Sequence, residues 1–204
     1  KKESINYIDE KFVERLKPNS VLIVIGFTDA FIEKVISICL KNKIRPLLVG
    51  SNPKTFYGPK TSCVIIDREN AMLNNVSNLI NNGYKHIAMM GVNPLVYTDV
   101  SHMDGYRLAL MKHGITNCEK DIYYNTESID NTINNFLKNV KSYDAVVCTN
   151  DYVATYLLAK LNELNIRVPQ DLAITGAGNI EISQFTNPPL TTIEIPLESA
   201  GKQT

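Results

Sequence analysis

The stretch AVVCTNDYVATYLLAKLNELNIRVPQDLAITGAGN, residues 145–179, gives the clearest indication of the fold. An apolar segment runs into Asn150-Asp151, a segment with helical spacing follows, and a second apolar segment ends at Gly176-Ala177-Gly178-Asn179. In a β-α-β unit of this kind both strand ends deliver their following residues to one edge of a parallel sheet. Three occupants of that edge are open: a nucleotide, a reacting substrate, or a small molecule that is only sensed.

The rest of the chain repeats this alternation. The apolar segments are apolar throughout rather than at every second position, which is typical of strands buried on both faces of a parallel sheet. They lie at 21–25, 46–49, 62–66, 87–90, 145–149 and 172–175. Amphipathic helical segments separate them, and Ser128 is a predicted N-cap of one. The pattern predicts an α/β protein with doubly wound parallel sheets and a ligand site at the carboxyl ends of the strands.

The charge balance, the cysteines and the lack of long apolar segments limit which kinds of protein the chain can be. The chain has 21 Lys and Arg residues and 21 Asp and Glu residues, so its formal net charge is zero. A module that binds nucleic acid by itself usually carries an excess of basic residues. Cys39, Cys63 and Cys148 lie in apolar segments and are predicted to be buried thiols. No signal-peptide start and no apolar run near ~18 residues is present, so we expect a cytoplasmic protein with no membrane partner.

Nucleotide binding and catalysis are both disfavoured by the residue patterns. Gly176-Ala177-Gly178 could open a G-x-G-x-x-G motif, but the sixth position is Glu181, whose carboxylate would repel a pyrophosphate. The three histidines have no i,i+4 partner and no cysteine at metal-ligand spacing, and no G-x-S-x-G elbow occurs. We therefore predict no catalytic residues, no metal site and no cofactor.

Several motifs, in order along the chain, carry a family resemblance. They are VIID (64–67), NNGYKHIAMMG (81–91), DGYRLALMKHGI (104–115), the stretch 145–179 quoted above and PPLTTIEIPLESAGKQ (188–203). From about Cys63 to its end, the chain resembles the effector-binding domain of lactose-repressor-type (LacI/GalR) bacterial transcription regulators. Residues 1–62 resemble the same domain more loosely.

The resemblance implies a type I periplasmic-binding-protein-like fold, in which two doubly wound parallel-sheet lobes are joined by crossover strands. On this basis residues 1–67 form the first lobe, 68–194 the second, and 195–204 return to the first. It also implies that the chain is incomplete at both ends, because the family's helix-turn-helix, its first strand-helix unit and its closing strands have no counterpart. We expect such a chain to expose part of its first-lobe sheet.

Six ligand-binding residues are predicted: His102, Tyr124, Asn150, Asn179, Phe27 and Asp151. By the resemblance, His102 stands where many members have an arginine that contacts effector oxygens, which makes an effector with a carboxylate less favoured. Tyr124 falls at an aromatic wall, and Asn150 matches a contact to a hydroxyl or amide. Gly178-Asn179 replaces the family's usual aspartate pair. Between Asn150 and Asp151, we expect one to cap the following helix and the other to face the cleft.

These expectations combine into one hypothesis with two alternatives. The chain is expected to be the effector-sensing domain of a homodimeric DNA-binding regulator, not an enzyme. A small polar effector, a sugar or sugar derivative, would bind between the lobes and change operator affinity through an N-terminal domain outside this chain. The first alternative is a solute-binding protein of a transport or receptor system, which an apolar leader upstream would indicate. The second is an enzyme on a Rossmann-like sheet.

Overall fold

A computed structural model describes residues 10–25, 29–50, 58, 60–116 and 118–203. Contacts between Cα atoms divide the chain into two compact units. The first unit contains residues 1–66 and 196–204, and the second contains residues 67–195. The chain therefore crosses between the units twice, at 66–67 and at 195–196.

The first unit is built on a small parallel sheet. Its elements are α1 (Glu10–Glu14), β1 (Val21–Ile25), α2 (Asp29–Lys41), β2 (Arg45–Val49), β3 (Ser62–Val64) and α7 (Leu197–Gln203). The three strands are parallel in the order β1-β2-β3. Apolar side chains of α2, including Val35 and Cys39, pack with Val24 and Leu48 of the sheet to form its core.

Part of this sheet is exposed, as expected for the first lobe. Val21, Ile23 and Ile25 alternate with the more buried Leu22 and Val24, and they are 58%, 53% and 67% exposed. The prediction that this strand is buried on both faces is therefore wrong for β1. The prediction of a buried thiol at Cys63 is also wrong, because this residue is exposed on the edge strand β3. Cys39 and Cys148 are buried as predicted.

The second unit is the larger α/β layer structure. Its elements are α3 (Arg68–Asn81), β4 (Ile87–Val92), α4 (Tyr97–Lys112), β5 (Ile122–Tyr124), α5 (Ile129–Leu137), β6 (Ala145–Cys148), α6 (Asp151–Glu163), β7 (Ala173–Gly178) and β8 (Thr191–Glu194). All five strands are parallel, in the order β5-β4-β6-β7-β8. Every residue of β4 and β6 is buried, which confirms the prediction from their continuous apolar sequence.

Two apolar cores cover the two faces of this sheet. Residues of α3 and α4, such as Val76 and Tyr106, pack on one face, and residues of α5 and α6, such as Phe136 and Leu157, pack on the other. The doubly wound α/β prediction is confirmed for this unit. The Ser128 N-cap is confirmed as well, since its Oγ accepts a hydrogen bond of 3.2 Å from the Asn131 backbone N–H.

Asp144 joins the amino ends of two neighbouring strands. Its carboxylate accepts hydrogen bonds from the backbone N–H groups of Lys85, at 2.8 Å, and His86, at 3.0 Å, just before β4. Asp144 itself directly precedes β6. This link fixes the relative position of β4 and β6, the two strands at the centre of the site described below.

Gly105 allows α3 and α4 to approach each other closely. A Cβ atom placed on Gly105 would lie 2.2 Å from the Glu69 backbone oxygen and 3.0 Å from Cβ of Met72. The first of these is a backbone atom, which cannot rotate out of the way. The glycine of the DGY motif is therefore required by packing between two helices.

We predict that Gly105→Ala lowers the free energy of unfolding by about 1–3 kcal/mol, because the added methyl group forces α3 and α4 apart. Gly201→Ala is the matched control, since Gly201 also lies in a helix but has no atom within 4 Å of its ideal Cβ position. The control is expected to be neutral or stabilising by up to about 1 kcal/mol. Urea denaturation followed by circular dichroism measures both, and equal effects would contradict the packing argument.

Candidate functional site

The carboxyl ends of the five strands of the second unit line one edge of the sheet, which we call the carboxyl edge. Residue pairing aligns Val92 of β4 with Tyr124 of β5, and Gly178 of β7 with Glu194 of β8. Polar residues follow the strand ends at this edge: Asn93, Asn125, Thr149, Asn150 and Asn179. Open parallel sheets bind ligands in this position.

The structure brings four of the predicted residues to this edge. Tyr124 is the last residue of β5, Asn150 and Asp151 follow β6, and Asn179 follows β7. His102 lies on α4, the helix that follows β4. Phe27 lies outside the described residues. The assignment of all six as ligand contacts stays a prediction.

Asn150 is the residue of the Asn-Asp pair that caps α6. Its Oδ1 accepts a hydrogen bond of 3.0 Å from the Val153 backbone N–H, and its backbone is extended, as an N-cap requires. Its Nδ2 lies 3.4 Å from Oγ1 of Thr149, which donates a 3.1 Å hydrogen bond to the Gly91 carbonyl. The cap fixes the side chain and directs a partly exposed amide donor towards the edge.

Asp151 lies beneath the carboxyl edge and ties together the segments that form it. It has no solvent exposure, and its Oδ2 accepts a 2.9 Å hydrogen bond from the Ile180 backbone N–H. Its Oδ1 accepts a 2.5 Å hydrogen bond from Oγ1 of Thr192. The carboxylate also sits in the first turn of α6, where the helix dipole favours a negative charge.

Two glycines of β7 make room for this carboxylate. A Cβ atom on Gly176 would lie 2.1 Å from Oδ1 of Asp151, so no larger residue fits there. Gly178 has a φ of 134°, a backbone conformation that side chains rarely adopt. The Gly-x-Gly sequence therefore serves a buried protein carboxylate, which gives a structural reason for its failure to match a pyrophosphate motif.

His102 is a buried imidazole next to the edge. It is 3% exposed, and its Nδ1 has no hydrogen-bond partner among the described residues. The pKa of His102 is lowered to about 4. Burial is the main cause and the positive charge of Arg68 adds to it, whereas a hydrogen bond to the Thr149 backbone acts in the opposite direction. The imidazole is therefore neutral near pH 7.

Two charged residues near His102 were not predicted from the sequence. Burial raises the pKa of Asp99 to about 6, and the 3.0 Å hydrogen bond that its carboxylate accepts from the Asn93 N–H opposes this shift. Burial lowers the pKa of Arg68, the first residue of α3. The available signal was the spacing of Asp99 and His102, which are three residues apart on one helix and so share a face.

Tyr124 and Asn179 are the most accessible of the predicted residues at the edge. The Tyr124 ring is 38% exposed, and its hydroxyl contacts Sδ of Met103 at 3.6 Å. Asn179 is exposed and adopts a left-handed backbone with a φ of 48°, and its N–H donates to Oγ1 of Thr192 at 3.3 Å. Tyr124 offers an apolar ring, and Asn179 offers an amide that can both donate and accept.

Two cavities of the second unit differ in their relation to this edge. A cavity of about 500 Å³ adjoins it, with Asn125, Asn150 and Tyr152 among its lining residues. A larger cavity of about 690 Å³ is lined by residues that precede β4 and β6, including His86 and Tyr143, and contains none of the six predicted residues. We place the functional site at the carboxyl edge, because the capped and buried polar groups described above converge there.

The described part of the chain places polar and aromatic side chains at the carboxyl edge. It includes no cluster of three or more His, Cys, Asp or Glu side chains that could hold a metal ion. Within the same residues, every helix is too short or too polar to cross a membrane. The arrangement offers amide donors, an aromatic ring and a neutral imidazole.

Comparisons with known proteins support one family. Residues 76–204 match a family model described as a periplasmic binding protein-like domain. A protein named HTH-type transcriptional repressor PurR, from Vibrio atlanticus (strain LGP32), is 32% identical over 127 residues, which cover 61% of this chain and 38% of that protein. This chain spans 38% of the length of that repressor. It spans 51% of the length of a second PurR repressor that it matches, from Aliivibrio fischeri (strain ATCC 700601 / ES114).

Solved structures show the same fold. The structure titled transcriptional regulator CelR-cellobiose complex superposes with a TM-score of 0.82 at 21% identity and covers 95% of this chain and 59% of that one. A LacI-type transcription regulator from Bifidobacterium animalis subsp. lactis DSM 10140 superposes with a TM-score of 0.78 at 24% identity, covering 95% and 71%. The chain belongs to the periplasmic binding protein-like domain family.

Proposed function

We propose that this chain is the effector-sensing part of a bacterial transcription regulator and that it performs no catalysis. One observation carries the proposal: polar side chains are held in place at the carboxyl edge of a parallel sheet, the position in which such sheets bind ligands. The similarity to proteins named HTH-type transcriptional repressors supports it. The DNA-contacting part would lie outside this chain, in keeping with the net charge of zero.

The proposed effector is a sugar or sugar derivative held at the carboxyl edge. The half-exposed ring of Tyr124 suits the apolar face of a sugar ring, and the amides of Asn150 and Asn179 suit its hydroxyl groups. A structural relative that was solved in complex with cellobiose supports this class of effector. Asp151 contributes indirectly, because both of its oxygens are already occupied by Ile180 and Thr192.

The proposed mechanism is a linkage between two binding equilibria. If the effector binds one conformation of the regulator more tightly than another, it shifts the population towards the conformation it prefers. DNA affinity then changes by the difference in effector binding free energy, for which about 1–3 kcal/mol is typical. No covalent step is needed for this function.

We further propose that the regulator is a cytoplasmic homodimer. Large aromatic side chains are exposed on α6 and on the segment that follows β7, with Tyr152 72% exposed and Phe185 76% exposed. Hydrogen bonds from Ile180 to Asp151 and from Asn162 to the Asn187 carbonyl keep that segment beside α6. Exposed apolar patches of this kind mark protein–protein contacts.

A solute-binding protein of a transport or receptor system is the second candidate, and the match to a periplasmic binding protein-like domain favours it equally. The coding sequence upstream of this chain distinguishes the two. A basic helix-turn-helix would support the regulator, and an apolar leader would support the transport component.

We predict that at least one neutral carbohydrate raises the melting temperature of the intact protein in a panel of sugars, nucleobases and amino acids. For that compound, Tyr124→Leu should weaken binding about tenfold, since loss of an aromatic contact costs on the order of 1 kcal/mol. Tyr124→Phe is the matched control and should retain most of the affinity, because the ring remains. Isothermal titration calorimetry measures the affinities. Failure of every carbohydrate to stabilise the protein would end the sugar proposal.

We also predict that Asp151→Asn lowers the free energy of unfolding by about 1–3 kcal/mol. One of the two carboxylate oxygens, which accept hydrogen bonds from Ile180 and Thr192, is replaced by an amide NH₂ group that cannot accept one. The matched control is Asp171→Asn, which weakens an exposed pair with Arg167 and should have a smaller effect. Equilibrium denaturation of both variants tests this. Equal losses would show that the buried carboxylate does not hold the edge together.

A further inference from the structure

Resting on the proposed function, we propose that His102 is a hydrogen-bond acceptor for the effector, which presents a neutral O–H or N–H donor to Nδ1. The effector is therefore an uncharged, donor-rich molecule, such as an unmodified sugar, rather than a sugar acid or a sugar phosphate. This role is opposite in polarity to the one that the family resemblance implies, because an arginine at this position could only donate hydrogen bonds.

The first step is the unpaired atom. Nδ1 of His102 is buried, and no hydrogen-bond partner for it exists among the described residues. Nearly all buried polar side-chain atoms in proteins have a partner, and one left without costs on the order of 1–3 kcal/mol. In a site that binds a small polar molecule, such an atom gains a hydrogen-bond partner when the molecule binds.

The second step is the position of His102 beside the predicted contacts. The imidazole bonds to the backbone of Thr149, the residue directly before Asn150. Oγ1 of Thr149 lies 3.4 Å from Nδ2 of Asn150 and bonds to Gly91 at the end of β4. Met103, the next residue on α4, contacts the Tyr124 hydroxyl. His102 therefore shares its immediate neighbours with Asn150 and Tyr124.

The third step is the tautomer. A neutral imidazole has one donor nitrogen and one acceptor nitrogen. The hydrogen bond to the Thr149 backbone raises the pKa of His102, so the imidazole is the donor and the Thr149 carbonyl oxygen is the acceptor. The imidazole nitrogen that faces this carbonyl therefore carries the hydrogen. Because Nδ1 is unpaired, that nitrogen is Nε2. Nδ1 is consequently left with a lone pair.

The fourth step is the charge of the surroundings. Arg68, the first residue of α3, is the charged group that acts on the imidazole, and Tyr97 of α4 in turn acts on Arg68. Asp99 lies one helical turn before His102 on α4. Burial and the cation of Arg68 disfavour a second proton on His102. A carboxylate or phosphate oxygen at Nδ1 would place one lone pair against another.

Nδ1 is buried in this structure, so an effector donor must displace part of what surrounds it. Binding should therefore change the environment of this nitrogen directly. This gives a readout that does not depend on gene regulation or on DNA binding.

The test uses intact protein labelled with ¹⁵N-histidine and long-range ¹H–¹⁵N correlation. Only three histidines occur, and His86→Gln and His113→Gln assign the resonances. Without ligand, His102 should show a protonated Nε2 and an unprotonated Nδ1 that does not titrate between pH 6 and 8, by the burial argument above. A protonated Nδ1 or a doubly protonated ring in that range would overturn the proposal.

The ligand arm compares matched pairs: glucose with glucuronate and with glucose 6-phosphate, galactose with galacturonate, and cellobiose with cellobionate. We expect the neutral member to bind at least about tenfold more tightly and to shift the Nδ1 resonance, since one hydrogen bond accounts for roughly tenfold in affinity. His102→Gln keeps an acceptor and should stay within about threefold, whereas His102→Leu should lose about tenfold. His102→Arg should reverse the preference towards the anion.

The outcomes separate this inference from the proposed function. Tighter binding of an anionic member to the unmodified protein, or binding of a neutral sugar that leaves Nδ1 unchanged, would refute the acceptor role while keeping the sensing function. Absence of binding by every sugar would refute the sugar effector, and the tautomer measured without ligand would still decide the acceptor assignment.

Discussion

The buried carboxylate of Asp151 is the constraint on which the carboxyl edge depends. It is fully enclosed, and an ionised carboxylate without partners in that position would cost several kcal/mol. It is satisfied by the Ile180 N–H, the Thr192 hydroxyl and the amino end of α6. Because these partners come from the segments after β6 and β7 and from β8, the charge holds three strand ends in one arrangement. The residue at position 176 must be glycine for the same reason, because any side chain there would overlap with the Asp151 carboxylate.

Much of this architecture is readable from the sequence where burial is complete. Continuous apolar segments predicted β4 and β6, and helical spacing predicted α3 and α6. The edge strand β8 was not among the predicted apolar segments, because it has only four residues and its burial is partial. Cys63 was misassigned for a related reason. Its apolar surroundings in sequence indicate burial, but an edge strand is covered on fewer sides than a central one.

The sequence predicted the position of the candidate site better than it predicted the roles and protonation states of the residues there. Strand ends in a parallel sheet predicted where Tyr124, Asn150 and Asn179 lie. The roles within the Asn150-Asp151 pair depend on hydrogen bonds to Val153, Ile180 and Thr192, the last of which is 41 residues away in the chain. The neutral state of His102 depends on its burial and on the positive charge of Arg68, which lies on another helix. Only the folded structure brings these groups together.

We propose, above all, that the effector is held at the carboxyl edge of the five-stranded sheet. Mapping of backbone amide chemical shifts during titration of the intact protein with its most stabilising compound tests this most directly. The account predicts that the largest changes occur at Tyr124, Asn150 and Asn179 and at their immediate neighbours in sequence. Changes concentrated instead at His86, Asp121 and Tyr143, around the larger cavity at the opposite edge, would contradict it.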